Sequence, residues 1–216
     1  LKNHTFKVID STKDYAVAYK PNFAFFERWG AKGFSWLEET VEYIGNDRIK
    51  IADAKRGDIG NTARQYAYSI FEHFGFDCVT INPYMGSDSI DPFLENKEKG
   101  VFLLAKTSND SAFTLQNIKE NGIPIYERVA QMAKDLNQNN NIGLVVGATV
   151  PKELKKIRSI SQGMPILIPG VGAQGGNLDT CMKIGNNYGI CLINISRSIS
   201  FASDMSSKSI KDASSN

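Results

Sequence analysis

The sequence predicts an α/β fold built on a parallel sheet. Three observations predict it: seven short apolar runs, helical patterns that fill the gaps between them, and no domain-sized linker across 216 residues. Most of the runs are dense in Val, Ile and Leu instead of alternating with polar residues, which is the pattern of strands covered on both faces. A chain of this length with 42% hydrophobic residues can bury a proper core, and α/β barrels run above ~200 residues as one unit. The expectation is a single domain over residues 1–216.

Taken in order, Leu1–Asp10 looks like the end of a helix, and strands are expected at Tyr15–Lys20, Ile49–Lys55, Asp77–Asn82, Gly100–Lys106, Ile142–Gly147, Pro165–Pro169 and Gly189–Asn194. Ser35-Trp36-Leu37-Glu38 reads as a capping box that opens a helix to about Tyr43. Ala63, Tyr66, Ala67, Ile70, Phe71 and Phe74 mark one face of the next helix, and Val129, Met132, Ala133 and Leu136 repeat that spacing. Pro151 sits in the first turn of a helix carrying Leu154, Ile157 and Ile160. Asn137–Asn141 reads as a polar loop, and the serine-rich tail from Ser203 to Asn216 as a weak terminal helix or a frayed end.

Two features favour a barrel over a doubly wound sheet. Charged or polar residues recur at the C-terminal ends of many strands, and a glycine-rich loop follows the next-to-last one, where barrels often hold phosphate. The seven strands are one short of a (β/α)8 TIM barrel. The first strand is therefore expected to lie before residue 1, leaving the chain N-terminally incomplete, or else the fold is not a closed barrel.

Composition narrows the function. A net charge of +2 gives no sign of nucleic acid or an anionic membrane as partner, and no apolar stretch approaches the roughly 20 residues of a membrane span. With only two histidines, His4 and His73, a serine–histidine–aspartate triad or a histidine zinc site has almost no material. His73 falls inside a helical pattern and reads as a helix-surface residue. The three cysteines, Cys78, Cys181 and Cys191, are odd in number and widely spaced, which fits free thiols in a reducing cytoplasm.

Chemistry concentrates in Asp53-Ala54-Lys55-Arg56-Gly57-Asp58-Ile59-Gly60-Asn61-Thr62. Strand alternation puts Asp53 and Lys55 on one face, and a carboxylate beside an ammonium at the mouth of an apolar core is costly unless something uses it. The plain alternative is a charged loop after a strand. Lys20, which ends Ala16-Val17-Ala18-Tyr19, would complete an alternating array with Asp53, Lys55 and Asp58, or else it points to solvent. Pro169-Gly170-Val171-Gly172-Ala173-Gln174-Gly175-Gly176 can turn backbone N–H groups toward an anion, though many tight loops look the same. Arg197, just past the last apolar strand, suits bidentate phosphate binding. Lys106-Thr107-Ser108-Asn109 puts hydroxyls at a strand end, where they could read a polar ring or cap a turn.

With those residues in place the chain resembles the orotidine 5′-phosphate decarboxylase family, in its longer-chain bacterial branch. Asp53 to Gly60 matches the D-x-K-x-x-D-I-G signature, and the likeness extends through Ala18-Tyr19-Lys20-Pro21-Asn22, Val145-Val146-Gly147-Ala148-Thr149, the glycine loop and Ser196-Arg197-Ser198-Ile199. The resemblance implies a (β/α)8 barrel, a homodimer, decarboxylation of orotidine 5′-monophosphate to uridine 5′-monophosphate in pyrimidine biosynthesis, and no metal or organic cofactor. It also implies roles. Lys55 would deliver the proton to C6, Asp53 would face the substrate carboxylate and hold Lys55, and Lys20 would bind a ribose hydroxyl. Asp58 would reach into the neighbouring subunit's site, with Ile59 and Thr62 beside it. Ser108 would bind the pyrimidine edge, Pro169 would pack on the ring, and Gly172, Gln174 and Arg197 would belong to the phosphate end. The family begins with a strand ending in an aspartate, which nothing before Tyr15 supplies.

Three other readings stand beside this one. A magnesium-dependent sugar-phosphate decarboxylase or synthase of the same superfamily shares D-x-K-x-x-D but carries glutamate where Lys20 stands. A catalytically dead barrel would only bind a nucleotide or a partner. A Schiff-base aldolase using Lys55 leaves the two flanking aspartates unexplained.

Overall fold

The computed structural model describes residues 1–215. In chain order its elements are α1 (Lys2–Thr12), β1 (Ala18–Tyr19), α2 (Phe23–Glu27), α3 (Gly30–Ile44), β2 (Ile49–Arg56), α4 (Gly60–Tyr68), β3 (Cys78–Ile81), α5 (Asp91–Leu94), β4 (Gly100–Lys106), α6 (Phe113–Gln116), β5 (Lys119–Glu120), β6 (Ile123–Pro124), α7 (Ile125–Leu136), β7 (Ile142–Val146), α8 (Pro151–Ile160), β8 (Ile166–Pro169), α9 (Leu178–Gly185), β9 (Cys191–Asn194), α10 (Arg197–Ser200) and α11 (Ser207–Ser215). A π turn, Ser69–His73, extends α4.

The main sheet has seven strands in the order β1-β2-β3-β4-β7-β8-β9, and β5 and β6 form a separate two-stranded ribbon. The pairings β1–β2, β4–β7, β7–β8 and β8–β9 are parallel. All seven expected apolar runs are therefore strands, and the α/β fold class holds.

The chain divides into two compact units. One comprises Leu1–Ala54, Tyr68–Val79 and the residues from Ile195 onward. Its core joins Phe23, Leu37, Val41, Ile51, Ile70, Phe74, Phe76 and Val79, with the Phe23 ring 5.6 Å from that of Phe74 and 5.7 Å from that of Phe76. Strand β1 is only two residues long because the Tyr15 and Ala16 N–H groups donate back to the Thr12 carbonyl and finish α1, while Pro21 has no N–H to give. The expected start of the second long helix is corrected: α3 opens at Gly30, so Ser35 lies inside it and caps nothing. The first turn is already closed before Ser35, by the Gly33 N–H on the Trp29 carbonyl, and glycine at 33 lets that turn lie against α2, since a side chain there would come within 1.9 Å of the Phe26 carbonyl oxygen. The tail is a helix, with Ile210 fully buried. Asp204 accepts from the Ser206 N–H and the Ser209 hydroxyl ahead of that helix, and these donors hold its carboxyl down at about 2. Asn216 lies outside the described residues.

The other unit comprises Lys55–Ala67 and Thr80–Asn194. Its core is made by Ile81, Ile90, Phe93, Leu103, Ile142, Leu144, Leu154, Ile157, Ile166 and Ile168, all essentially without exposure. Residues of β4 and β7 pair from Val101↔Ile142 to Lys106↔Val146 with one irregularity after Leu104. Arg158 is 2% exposed and donates to the carbonyls of Ser161, Met164 and Ile190, tying the end of α8 to the approach of β9. The β5–β6 ribbon turns on Asn121 and Gly122, both with positive φ (51° and 81°). All three cysteines are free thiols. No helix among the described residues is long and apolar enough to cross a membrane.

Candidate active site

Lys20 follows β1 directly, and Asp53 lies within the adjacent strand β2. The Lys20 Nζ donates to Asp53 Oδ2 at 2.5 Å, and the two side chains are 13% and 9% exposed. Asn22 Nδ2 donates to the same oxygen at 3.4 Å, while Asn22 Oδ1 accepts the Ala24 N–H and caps α2. The Asp53 N–H donates to the Pro21 carbonyl at 3.0 Å, so the backbone sets this carboxylate against the lysine. Two ions largely removed from water give little net stability even when paired, which points to a use beyond folding. Arg197 opens α10 on the surface and makes no side-chain hydrogen bond among the described residues.

Lys55 has an unusual backbone for a strand residue. It adopts φ = 47°, the left-handed region, and its side chain is exposed where Asp53 is buried. A non-glycine residue there costs of order 1–2 kcal/mol and persists only where its surroundings impose it. The Lys55 N–H donates to the Thr80 hydroxyl of β3 at 3.0 Å, one of the bonds that hold the turn. Next, the Ile59 N–H donates to Asp58 Oδ1 at 2.8 Å ahead of α4. Ile59 is 51% exposed, and Thr62 is exposed in the first turn of α4.

Ser108, two residues beyond β4, donates from its hydroxyl to Gln174 Oε1 at 2.7 Å. The glycine loop that carries Gln174 closes on itself. Gly175 N–H donates to the Gly172 carbonyl, Gly176 N–H to that of Gly170, and Val171 bridges to Gly176. A side chain at Gly176 would lie 2.3 Å from Ala148 Cβ, so only glycine fits there. Pro169 ends β8 opposite Asn194, and its carbonyl accepts the Ala148 N–H at 2.8 Å.

One expected grouping is therefore a direct contact, Lys20 with Asp53; the contact of Ser108 with Gln174 joins two residues that the sequence assigned to different ends of the substrate. Sequence reasoning assigned no role to Asn22, to Thr80, or to Gln116 and Asn117, whose side chains bond Thr107 and Lys106. Asn22 was signalled by the Lys-Pro-Asn run; the others act over separations that carry no local pattern. His73 lies on the helix surface as expected, with its Nε2 2.8 Å from Glu38 Oε1.

Comparison with known proteins sets this geometry in a family. The model of the orotidine 5′-phosphate decarboxylase / HUMPS family matches residues 2–210. An orotidine 5′-phosphate decarboxylase of Christiangramia forsetii is 48% identical over 204 residues, which cover 92% of this chain and 75% of that protein. One from Halorubrum lacusprofundi is 47% identical, covering 94% of this chain and 74% of the other. Among solved structures, the Leishmania donovani OMP decarboxylase superposes with a TM-score of 0.92 at 38% identity, covering 99% of this chain and 83% of that one.

Proposed function

The chain belongs to the orotidine 5′-phosphate decarboxylase / HUMPS family and is a carboxy-lyase, and from that premise we propose that it forms uridine 5′-monophosphate by protonating C6 of the pyrimidine from Lys55. Asp53 faces the departing carboxylate, Lys20 binds a ribose hydroxyl, Ser108 binds the pyrimidine edge and Pro169 packs on the ring. Gly172, Gln174 and Arg197 hold the 5′-phosphate. Asp58, with Ile59 and Thr62, serves the site of a second subunit in a homodimer, and residues 1–216 act as one catalytic domain in the cytoplasm without metal or organic cofactor.

The observation that carries this reading is the largely buried pair that Lys20 makes with Asp53, on the strand that runs on into Lys55. As the carboxylate leaves, it abandons an electron pair in the plane of the ring, where resonance cannot spread it. A fixed ammonium stabilises that charge only as it develops, which is the differential binding catalysis requires. Such a reaction asks for the upper end of enzymatic acceleration, on the order of 20 kcal/mol. Phosphate binding far from C6 supplies part of this by holding the nucleotide in register.

The test is direct. Added protein should lower, with time, the ultraviolet absorbance at the long-wavelength edge where orotidine 5′-monophosphate absorbs more than uridine 5′-monophosphate. Lys55→Ala should stop turnover while uridine 5′-monophosphate still binds; undiminished turnover in that variant overturns the assignment.

A further inference from the structure

The site described so far leaves Lys106 without a task, although it is the residue that ends β4 immediately before Thr107 and Ser108. It is 3% exposed, an unusual burial for a lysine. Its Nζ donates to Asn117 Oδ1 at 2.7 Å and stands 5.9 Å from the centre of the Tyr126 ring. Burial presses its charged form down, and the Glu153 carboxylate from α8 partly offsets that.

The side chains around it form a lattice of hydrogen bonds. Asn117 follows α6, and the residue before it, Gln116, bonds Thr107 twice. Gln116 Oε1 accepts the Thr107 N–H at 3.0 Å, and Gln116 Nε2 donates to the Thr107 hydroxyl at 2.7 Å. That hydroxyl donates in turn to Asn109 Oδ1 at 2.7 Å. Ser108 is thereby fixed on both sides by neighbours that are themselves held. Its other support is Gly147, where an added Cβ would lie 2.8–2.9 Å from the Ser108 backbone N, Cα and Cβ. Residues 106–109 are thus clamped between α6 and the end of β7, and the buried ammonium is the ionic anchor of the clamp.

We propose that Lys106 is a positioning residue for recognition of the pyrimidine ring: through Asn117 it fixes α6 and Gln116 against Thr107, and so sets the Ser108 hydroxyl. The inference rests on the reading of Ser108 as the group that meets the ring edge. It separates Lys106 from the phosphate-binding elements, because among the described residues the hydrogen bonds of the lattice meet theirs where Ser108 bonds Gln174 and nowhere else.

The experiment compares uridine 5′-monophosphate, which has a ring, with ribose 5-phosphate, which has none. Lys106→Met should weaken the first by about tenfold or more, the worth of one well-placed hydrogen bond, and the second by no more than about twofold. Asn117 is exposed, so Asn117→Ala tests the same link with little risk to folding and should reproduce the split, while Asn117→Asp, which keeps the acceptor, should not. Ser108→Ala should cost much less in the Lys106→Met background than alone. Equal loss of both ligands, or additive effects of Lys106 and Ser108, overturns the proposal and leaves Lys106 a packing residue. A wild-type protein that leaves orotidine 5′-monophosphate unconsumed defeats the underlying reading instead, and this inference with it.

Discussion

Lys20, just past β1, meets Asp53 of the neighbouring strand β2 at 2.5 Å, with both side chains nearly out of water. Removing one partner strips the other, still largely buried, ion of its 2.5 Å contact, which costs up to about 3–5 kcal/mol, whereas replacing both with apolar groups costs far less. Lys20→Met and Asp53→Leu should therefore each lower the unfolding free energy by that amount, and the double variant should recover most of it. Urea denaturation of the three proteins is the check, and all three should be inactive on orotidine 5′-monophosphate.

The left-handed backbone at Lys55 gives a prediction about stability and turnover in opposite senses. Lys55→Gly and Lys55→Ala both remove the ammonium, and both should be inactive. Glycine alone relieves the strain, so Lys55→Gly should be the more stable of the two by about 1 kcal/mol. Equal denaturation midpoints would mean that the turn imposes no such strain.

Gly147 lies against Ser108 with no room for a methyl group. Gly147→Ala should push the Ser108 segment away, costing about 1–3 kcal/mol of stability through overpacking. Its effect on kcat/KM for orotidine 5′-monophosphate should exceed that of Ser108→Ala, because it also displaces Thr107. Steady-state kinetics on the two variants decides this.

Tyr126 supplies a pH dependence. Burial, then the charge and hydrogen bond of Glu127 and the charge of Glu153, push its hydroxyl up to about 12. In the unfolded chain tyrosine ionises near an ordinary value of about 10. Between these values the unfolded state has lost a proton that the folded state keeps, so stability is full below about pH 10 and falls as pH rises toward about 12. Tyr126→Phe lacks this loss. Denaturation at pH 9 and 11 should show the wild-type protein losing more stability than the variant, and parallel losses would contradict the shift.

The sheet was legible because buried parallel strands advertise themselves: Gly100–Lys106 is a strand over the expected residues, and Ile142–Val146 falls one short of its expected end. The first strand was over-read because Tyr15 and Ala16 are apolar enough for a sheet but spend their N–H groups on Thr12. The capping box at Ser35 caps nothing for a different reason: the Gly33 N–H already closes a turn on the Trp29 carbonyl, in a segment whose glycines give no local helix signal. The β5–β6 ribbon was legible and overlooked: Asn121-Gly122 is the strongest short hairpin signal there is. At the site, the charges of Lys20 and Asp53 announced themselves by type and spacing. The positive φ of Lys55 did not, because nothing in a lysine's own chemistry asks for it, and neither did the Lys106–Asn117 bond, which joins residues eleven apart.

The turn at Lys55 also bears on how such a chain drifts over generations. Folding alone favours glycine or asparagine at that position, so on the proposed role of Lys55 it is the reaction that favours lysine there. A duplicate copy relieved of the reaction would shed this side chain early and gain stability as it did so. A relative with an intact core but glycine at the position of Lys55 would accordingly be a sturdy relic, and its thermal stability would be a poor guide to whether it still works.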